Sequence, residues 1–415
     1  MNIGIFVTSL NPQSAAQARF QGALFAGLQS LGACRYRFIV FSHDVPKSFQ
    51  HSDDLTCLTI EHEARWSQAT RCLKSTIGKV LLLACDVFEG GSGRFGRHIA
   101  LLIKHEPRYY KQLRELNVRL LWNMNQHELP TCLPFIRTVW EANHRIHPMF
   151  PEYSYSRFTF DGLDRNMAYS LARASYVVVG TKEGKQQVIR MFGVHESKIR
   201  VIPFPTPVLA TSKTCSASEI CTRSSYLFYP ARFWPHKNHV VILAAMKILQ
   251  DKWNIKLCCV FSGADEGNLK YVLQYAENLG VRDQVEYVGV VPEEELALLY
   301  KGALALVYAS AVGPDNLPPL EAMSLGCPVI TAEVPGAREQ YGDAALYFGS
   351  MSEQDLAERI KELLQNKLVR EQLIHRGRVR AESWTARDYA QAMVSIFDEF
   401  AAIARAWERC DSVFT

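Results

Sequence analysis

Residues 303–330 constrain the fold of this chain more than any other stretch. The run 303–308 is apolar and short enough for a buried strand. A turn follows through Gly313, Pro314 and Asp315. Pro318 and Pro319 then suit the first helical turn, where a missing N–H costs least and the proline φ is already helical. Gly326 closes that helix as a left-handed cap, and Pro328, Val329 and Ile330 start another strand. Strand, short helix and strand in this order belong to an open α/β sheet. Glu321 then sits early in a helix at the carboxyl end of a strand, in the crevice where such sheets take ligands. A carboxylate there can accept two hydrogen bonds from a diol such as ribose or a hexose.

The same alternation runs through the whole chain, twice. Strand patterns at 3–8, 37–42, 56–60, 119–122, 136–140, 175–180 and 199–203 are separated by helical or loop segments, among them helices at 14–31 and 182–192. Residues 204–225, Phe-Pro-Thr-Pro followed by a Ser/Thr/Cys-rich stretch, lack periodicity and read as a hinge. The pattern restarts with strands at 226–229, 255–262, 285–288 and 304–308, and helices at 238–250, 266–279 and 293–301. Alternation of this kind predicts an α/β protein of two Rossmann-like, doubly wound domains facing a cleft. The expected division is 1–205, 206–385 and a terminal amphipathic helix, 386–415, that returns toward the first domain and starts at a Thr385/Asp388 capping pair.

A chain of 415 residues at 48% hydrophobic has ample material for two cores. Its net charge of +4 is unevenly spread, with 25 Lys and Arg against 16 Asp and Glu in residues 1–205 and the acidic excess in the remainder. A basic first half suits an anionic surface or a phospholipid-linked acceptor, with the stretch 94–119 as the contact. A nucleic-acid role is disfavoured because aromatics do not interleave with basic residues on any recognisable motif. The 11 cysteines include no C-x-x-C pair, so neither a zinc site nor a disulfide framework is expected, and the usage fits a reducing cytosol. The longest apolar stretches, 80–84 and 99–103, are too short to span a bilayer, and no signal peptide is read at the start. The expectation is a cytoplasmic protein that meets the inner membrane face only peripherally.

After the first strand of the second half comes Arg232-Phe233-Trp234-Pro235-His236-Lys237-Asn238. This puts Arg232 and Lys237 on the same rim as Glu321. An arginine fork, a lysine point charge and a helix N-terminus at Asn238 together form a diphosphate clamp. The same charges would stabilise a departing nucleoside diphosphate. An exposed basic turn is the plain alternative.

These residues, with Pro318-Pro319-Leu320-Glu321-Ala322, Glu339 to Leu346 and Thr181 to Pro203, resemble the family 4 retaining glycosyltransferases of GT-B fold, in a polysaccharide or mannosyltransferase-like branch. The resemblance is specific from about 175 to 350. It implies that Arg232 and Lys237 bind the donor diphosphate, that Glu321 holds the ribose, and that backbone amides around Asn316 and Leu317 meet the donor, with Asp315 and Pro318 beside them. The family carries a second glutamate eight positions before the helix glutamate, and here that place holds Gly313; Asp315 is a candidate substitute. Acceptor chemistry is expected from the first half, where Glu141, His144 and Arg145 follow a strand and His127 and Glu128 are further candidates. His144 equally suits a helix cap or a core position. The glycine-rich stretch 90–93 reads as a turn, and 9–14 stands where a glycine loop would be expected.

The implied reaction is hexosyl transfer, weighted toward mannose, from a nucleoside-diphosphate sugar to a hydroxyl of a glycan or lipid-linked glycan, with retention and an oxocarbenium-like transition state. No cofactor and no metal are expected, for want of an Asp-x-Asp motif. A sugar-nucleotide epimerase on the same fold and an inactive sugar-binding homologue are the rivals.

Overall fold

The computed structural model describes residues 1–7, 16–31, 35–42, 55–59, 112–124, 133–154, 157–207, 209 and 225–407. Its first sheet contains β1 (Asn2–Phe6), β2 (Arg37–Ser42), β3 (Leu55–Thr59), β4 (Val118–Asn123), β5 (Phe135–Thr138), β6 (Tyr176–Val179) and β7 (Ile199–Val201). They run in the order β3-β2-β1-β4-β5-β6-β7, every described pairing parallel. The second sheet contains β8 (Tyr226–Pro230), β9 (Cys258–Ser262), β10 (Val285–Tyr287), β11 (Ala305–Tyr308), β12 (Val329–Ala332) and β13 (Leu346–Phe348). It is also parallel, in the order β10-β9-β8-β11-β12-β13. The fold is therefore α/β with two doubly wound sheets.

Parallel strands covered on both faces should be apolar throughout rather than alternating, and β6 (Tyr-Val-Val-Val) and β11 (Ala-Leu-Val-Tyr) are buried at every position. In each sheet the order reverses once, between β1 and β4 and between β8 and β11, and ligand crevices open at such reversals. The turn after β8 that carries Lys237 and the helix after β11 that carries Glu321 follow the two strands that flank the second of these.

Local signals set the helix ends. Thr181 Oγ1 accepts the Gly184 N–H at 3.0 Å to open Lys182–Phe192, and Gly193, at φ 65°, closes it. Thr385 and Asp388 form a reciprocal capping box at the start of Ala386–Ala404. That last helix packs on Ala16–Ser30 of the first domain, where the Tyr389 ring meets Phe20 edge-on at 5.6 Å. The approach is close enough that a Cβ on Gly27 would lie 2.3 Å from the Ala386 carbonyl oxygen. Arg200 grips Glu399 with bonds of 2.8 and 2.9 Å, and Trp384 Nε1 donates to the Pro203 carbonyl at 2.6 Å. Two chain segments therefore run side by side where the domains join.

Two long helices stand where the sequence reading places none. Arg157–Arg173 and Lys367–Glu382 are largely polar, and the second buries only Leu373, Gly377 and Ala381. Among the described residues no helix is long and apolar enough to cross a membrane. His127, Glu128, the stretches 9–14 and 90–93, most of the 204–225 hinge and basic residues 94–111 lie outside the described residues.

Candidate active site

The loop after β8 is built on Phe233, which is fully buried and stacked on His239 at 4.2 Å. Gly263, at φ 145°, lets β9 pass beneath; a Cβ there would stand 2.3 Å from the Ala231 carbonyl oxygen. The loop then forms a short 3₁₀ turn, Pro235–Lys237, and Asn238 takes a left-handed φ of 52° before the helix His239–Trp253. Asn238 spends its side-chain amide on the Ser350 carbonyl, 2.9 Å away, and does not cap the helix. The first-turn N–H groups thus have no side-chain acceptor.

Lys237 Nζ lies 3.3 Å from Ser310 Oγ and 3.4 Å from the Tyr308 hydroxyl. These two contacts engage two of the three ammonium donors, which leaves one for an anion. Arg232 is half-exposed and paired with Glu266 at 2.9 Å. The two cations expected to act together therefore sit in different surroundings, one inside the cleft wall and one on its rim.

Beyond β11, Gly313 has φ 114° and a Cβ would meet Asn316 Oδ1 at 2.9 Å. A family-type glutamate at 313 would need both a strained backbone and a displaced Asn316. Asn316 is the hub of this loop. Its side chain accepts from the Tyr308 hydroxyl at 2.8 Å and donates to the Gly313 carbonyl at 2.9 Å, and its carbonyl accepts from the Tyr341 hydroxyl at 2.7 Å. Its backbone N–H, expected to face a donor, instead donates to Gln340 Oε1 at 3.0 Å. Leu317 caps Pro318–Ser324 and is itself buried.

Glu321 is fully buried. Arg19, from the opposite domain, donates to its Oε1 at 2.9 and 3.1 Å, and the Tyr300 hydroxyl donates to Oε2 at 2.9 Å. Burial acts to lower the Arg19 pKa, but the charges of Glu321 and Tyr300 outweigh it and the net direction is upward. Asp315, proposed to replace the missing glutamate, turns its carboxyl onto Gly180 and Thr181 of the first domain. Burial, then the Glu339 charge, push it well above the usual carboxylate range.

Two residues of the first domain, Glu141 and Glu152, face this loop. Glu141 bonds the Asn143 amide, and burial raises its carboxyl pKa against the opposing pull of Lys237 across the cleft. Glu152 accepts the His236 backbone N–H at 3.1 Å and pairs with its ring Nδ1. His144 and Arg145 instead turn to Asp164: His144 Nε2 lies 3.2 Å from Asp164 Oδ1, and Arg145 also reaches Asp164 Oδ2 at 2.8 Å and packs 4.1 Å over Phe192. Both side chains thus meet Asp164 of the helix Arg157–Arg173. Arg19, Tyr300, Glu152 and Tyr308 escaped sequence reasoning because none lies in a recognisable motif. Among the described residues no group of three His, Cys, Asp or Glu side chains is placed to hold a metal ion.

Residues 213–380 match the family model described as glycosyl transferases group 1. The chain is 26% identical over 240 residues to the O-antigen chain mannosyltransferase RfbU of Salmonella typhimurium, covering 56% of this chain and 63% of that protein. It spans about three fifths of the length of the curated relatives it matches. Among solved structures it is similar to sucrose-phosphate synthase of Thermosynechococcus elongatus, with TM-score 0.69, 16% identity and coverage of 97% and 100% of the two chains. It is also similar to HepE of Anabaena in complex with UDP-glucose, with TM-score 0.64, 13% identity and coverage of 96% and 100%. Residues 213–380 are accordingly a glycosyl transferases group 1 domain, and the two-sheet α/β architecture is that of the GT-B structural neighbours.

Proposed function

We propose that this protein is a retaining glycosyltransferase that moves a hexosyl group from a nucleoside-diphosphate sugar to a hydroxyl of a glycan or lipid-linked glycan. The placement of Lys237 carries the reading. Its backbone leads through Asn238 into His239–Trp253, whose N-cap supplies no side-chain bond, its ammonium lies 3.3 Å from Ser310 Oγ, and Glu141 of the other domain feels its charge. A diphosphate fits between such a cation and such a helix end, where charge and dipole act together.

In this reading the bond from the anomeric carbon to the diphosphate oxygen breaks, its electron pair stays on the diphosphate, and Lys237 and Arg232 stabilise that charge. The acceptor oxygen attacks the same face, and its proton passes to the departing phosphate oxygen. Glu321 holds the ribose once Arg19 yields one of its bonds, and Glu141 orients a sugar hydroxyl. No metal enters these steps. Mannose is favoured as the sugar by the likeness to O-antigen mannosyltransferases, and a UDP donor by the likeness to a UDP-glucose complex.

The test is donor turnover. GDP-mannose and UDP-glucose are incubated with the protein, with and without lipid-linked glycan extracts, and both nucleoside diphosphate and glycosylated product are followed. Acceptor-dependent release with matching product is expected. Release without transfer would overturn the reading.

A further inference from the structure

The turn that carries Lys237 is held from the other domain. His236, the residue before it, is buried, and its ring lies in a socket of the first domain: Tyr153 stacks on it at 5.7 Å and 22°, and Phe150 meets it edge-on at 6.1 Å. Glu152 closes the socket. One carboxylate oxygen accepts both the His236 backbone N–H, at 3.1 Å, and the ring Nδ1–H. The side chains of Glu152 and His236 are only 5% and 9% exposed, so both bonds are shielded from water.

The backbone bond matters most for position. Trp234 precedes the 3₁₀ turn and supplies no side-chain cap. Glu152 supplies an acceptor in trans for an N–H at the start of that turn, the role a capping residue plays in cis. His236 in turn accepts through its own carbonyl from the Ala311 N–H at 2.9 Å, which joins the turn to the loop after β11. Tyr229 holds the next residue by donating its hydroxyl to the Lys237 carbonyl at 2.7 Å. The Lys237 backbone is thus fixed within its own domain by Tyr229 and Ala311, and across the cleft by Glu152.

Protonation suits the arrangement. Burial drives the His236 ring down to about 4, and its bonds, opposed first by burial, hold Glu152 below the usual carboxylate range. At neutral pH an ionised carboxylate therefore faces a neutral imidazole; the carboxylate can only accept, so Nδ1 carries the proton.

We propose that Glu152 is a positioning residue, which clasps the His236 turn across the domain boundary and sets the Lys237 ammonium where a nucleoside diphosphate binds. The inference rests on the reading of Lys237 as a diphosphate ligand. It also predicts that the diphosphate site is complete only when the two domains are closed, since half of the support comes from each.

The test is calorimetric titration of the full chain with UDP and with GDP. The variants are Glu152→Ala, Glu152→Gln, His236→Phe, Lys237→Ala and the double variant Glu152→Ala/Lys237→Ala. Lys237→Ala should weaken the nucleotide at least about tenfold, and Glu152→Ala about tenfold, a loss equivalent to about 1.4 kcal/mol. Glu152→Gln keeps an acceptor oxygen and should restore affinity to within about threefold of the native protein. The double variant should bind no more weakly than Lys237→Ala alone, because Glu152 acts only through that lysine.

Native affinity in Glu152→Ala, alongside loss in Lys237→Ala, overturns the positioning role and leaves the diphosphate reading standing. Full additivity in the double variant overturns it too. Native affinity in Lys237→Ala, or a native protein that binds neither nucleotide, overturns the diphosphate reading itself. If Glu152→Ala does not fold, Glu152→Met decides, since it keeps the side-chain bulk and removes both acceptor oxygens; native affinity there counts against the clasp, whereas His236→Phe, which keeps the backbone N–H bond, should lose less than either.

Discussion

Arg19 and Glu321, 302 residues apart, meet across the domain boundary in a forked ion pair whose bonds to Oε1 are 2.9 and 3.1 Å. The two ends are not equivalent. Arg19 is 17% exposed and can turn toward water, whereas Glu321 is fully buried with Tyr300 behind it. Breaking a buried pair is costly chiefly through the charge left without a partner. Arg19→Met, which strands the Glu321 carboxylate, should therefore destabilise by about 3–5 kcal/mol, and Glu321→Gln by less. Urea unfolding of both variants checks the order; equal losses would sink the argument.

Lys237 hydrogen-bonds to two neutral side chains, Ser310 and Tyr308, and its charge acts on the Glu141 carboxyl across the cleft. Replacing it with methionine should leave the fold almost unchanged and remove one charge-assisted bond, worth about 1.5–3 kcal/mol, or roughly 10–150-fold in nucleotide affinity. Thermal unfolding and UDP or GDP titration measured together separate the two effects. A large loss of melting temperature with unchanged affinity would show the lysine to be structural.

Asp315 and Gly180 are matched in shape. A Cβ on Gly180 would lie 2.1 Å from Asp315 Oδ1, so Gly180→Ala should force the domains apart at this point. Small-angle scattering would then show a larger radius of gyration than in the native protein. Burial raises the Asp315 pKa, so the folded state holds its proton more tightly than the unfolded state does. Its contribution to stability is present below the unfolded pKa and declines as pH rises toward the folded value. Asp315→Asn removes that penalty, and its gain in melting temperature should be larger at pH 8 than at pH 4.

His239 carries a penalty of the opposite pH sense. Burial, the largest influence, lowers it from 6.5 to about 3, so between these values the unfolded state binds more protons. Stability therefore falls as pH falls through this window, by on the order of 3 kcal/mol between pH 6.5 and 4. His239→Phe keeps the stacking on Phe233 and should flatten the slope. Urea midpoints at pH 7, 5.5 and 4.5 for both proteins provide the comparison, and parallel curves would exclude His239 as the source.

The elements that announce themselves in the sequence are those whose cause is local. The apolar strands β6 and β11, the Thr181 and Gly193 ends of Lys182–Phe192, the Thr385/Asp388 box and the proline-led helix at Pro318 each depend on a few neighbouring residues, and each stands where the pattern predicts it. The polar helix Lys367–Glu382 was not legible, because three small or apolar buried positions make no readable stripe. His144 and Arg145 looked like site residues because they follow a strand end; Asp164, some twenty residues on, claims both.

By itself, the sequence determined two α/β halves, and a basic loop and a carboxylate on the rim of one sheet, because periodicity, caps and turn residues act over a few turns of chain. Only the tertiary structure decided that Glu321 is held by Arg19, that Asp315 faces Gly180 rather than the loop it belongs to, and that Glu152 grips the turn bearing Lys237. These pairs form because closure of two domains brings together side chains far apart in the chain, and no local pattern records which buried charge will meet which partner.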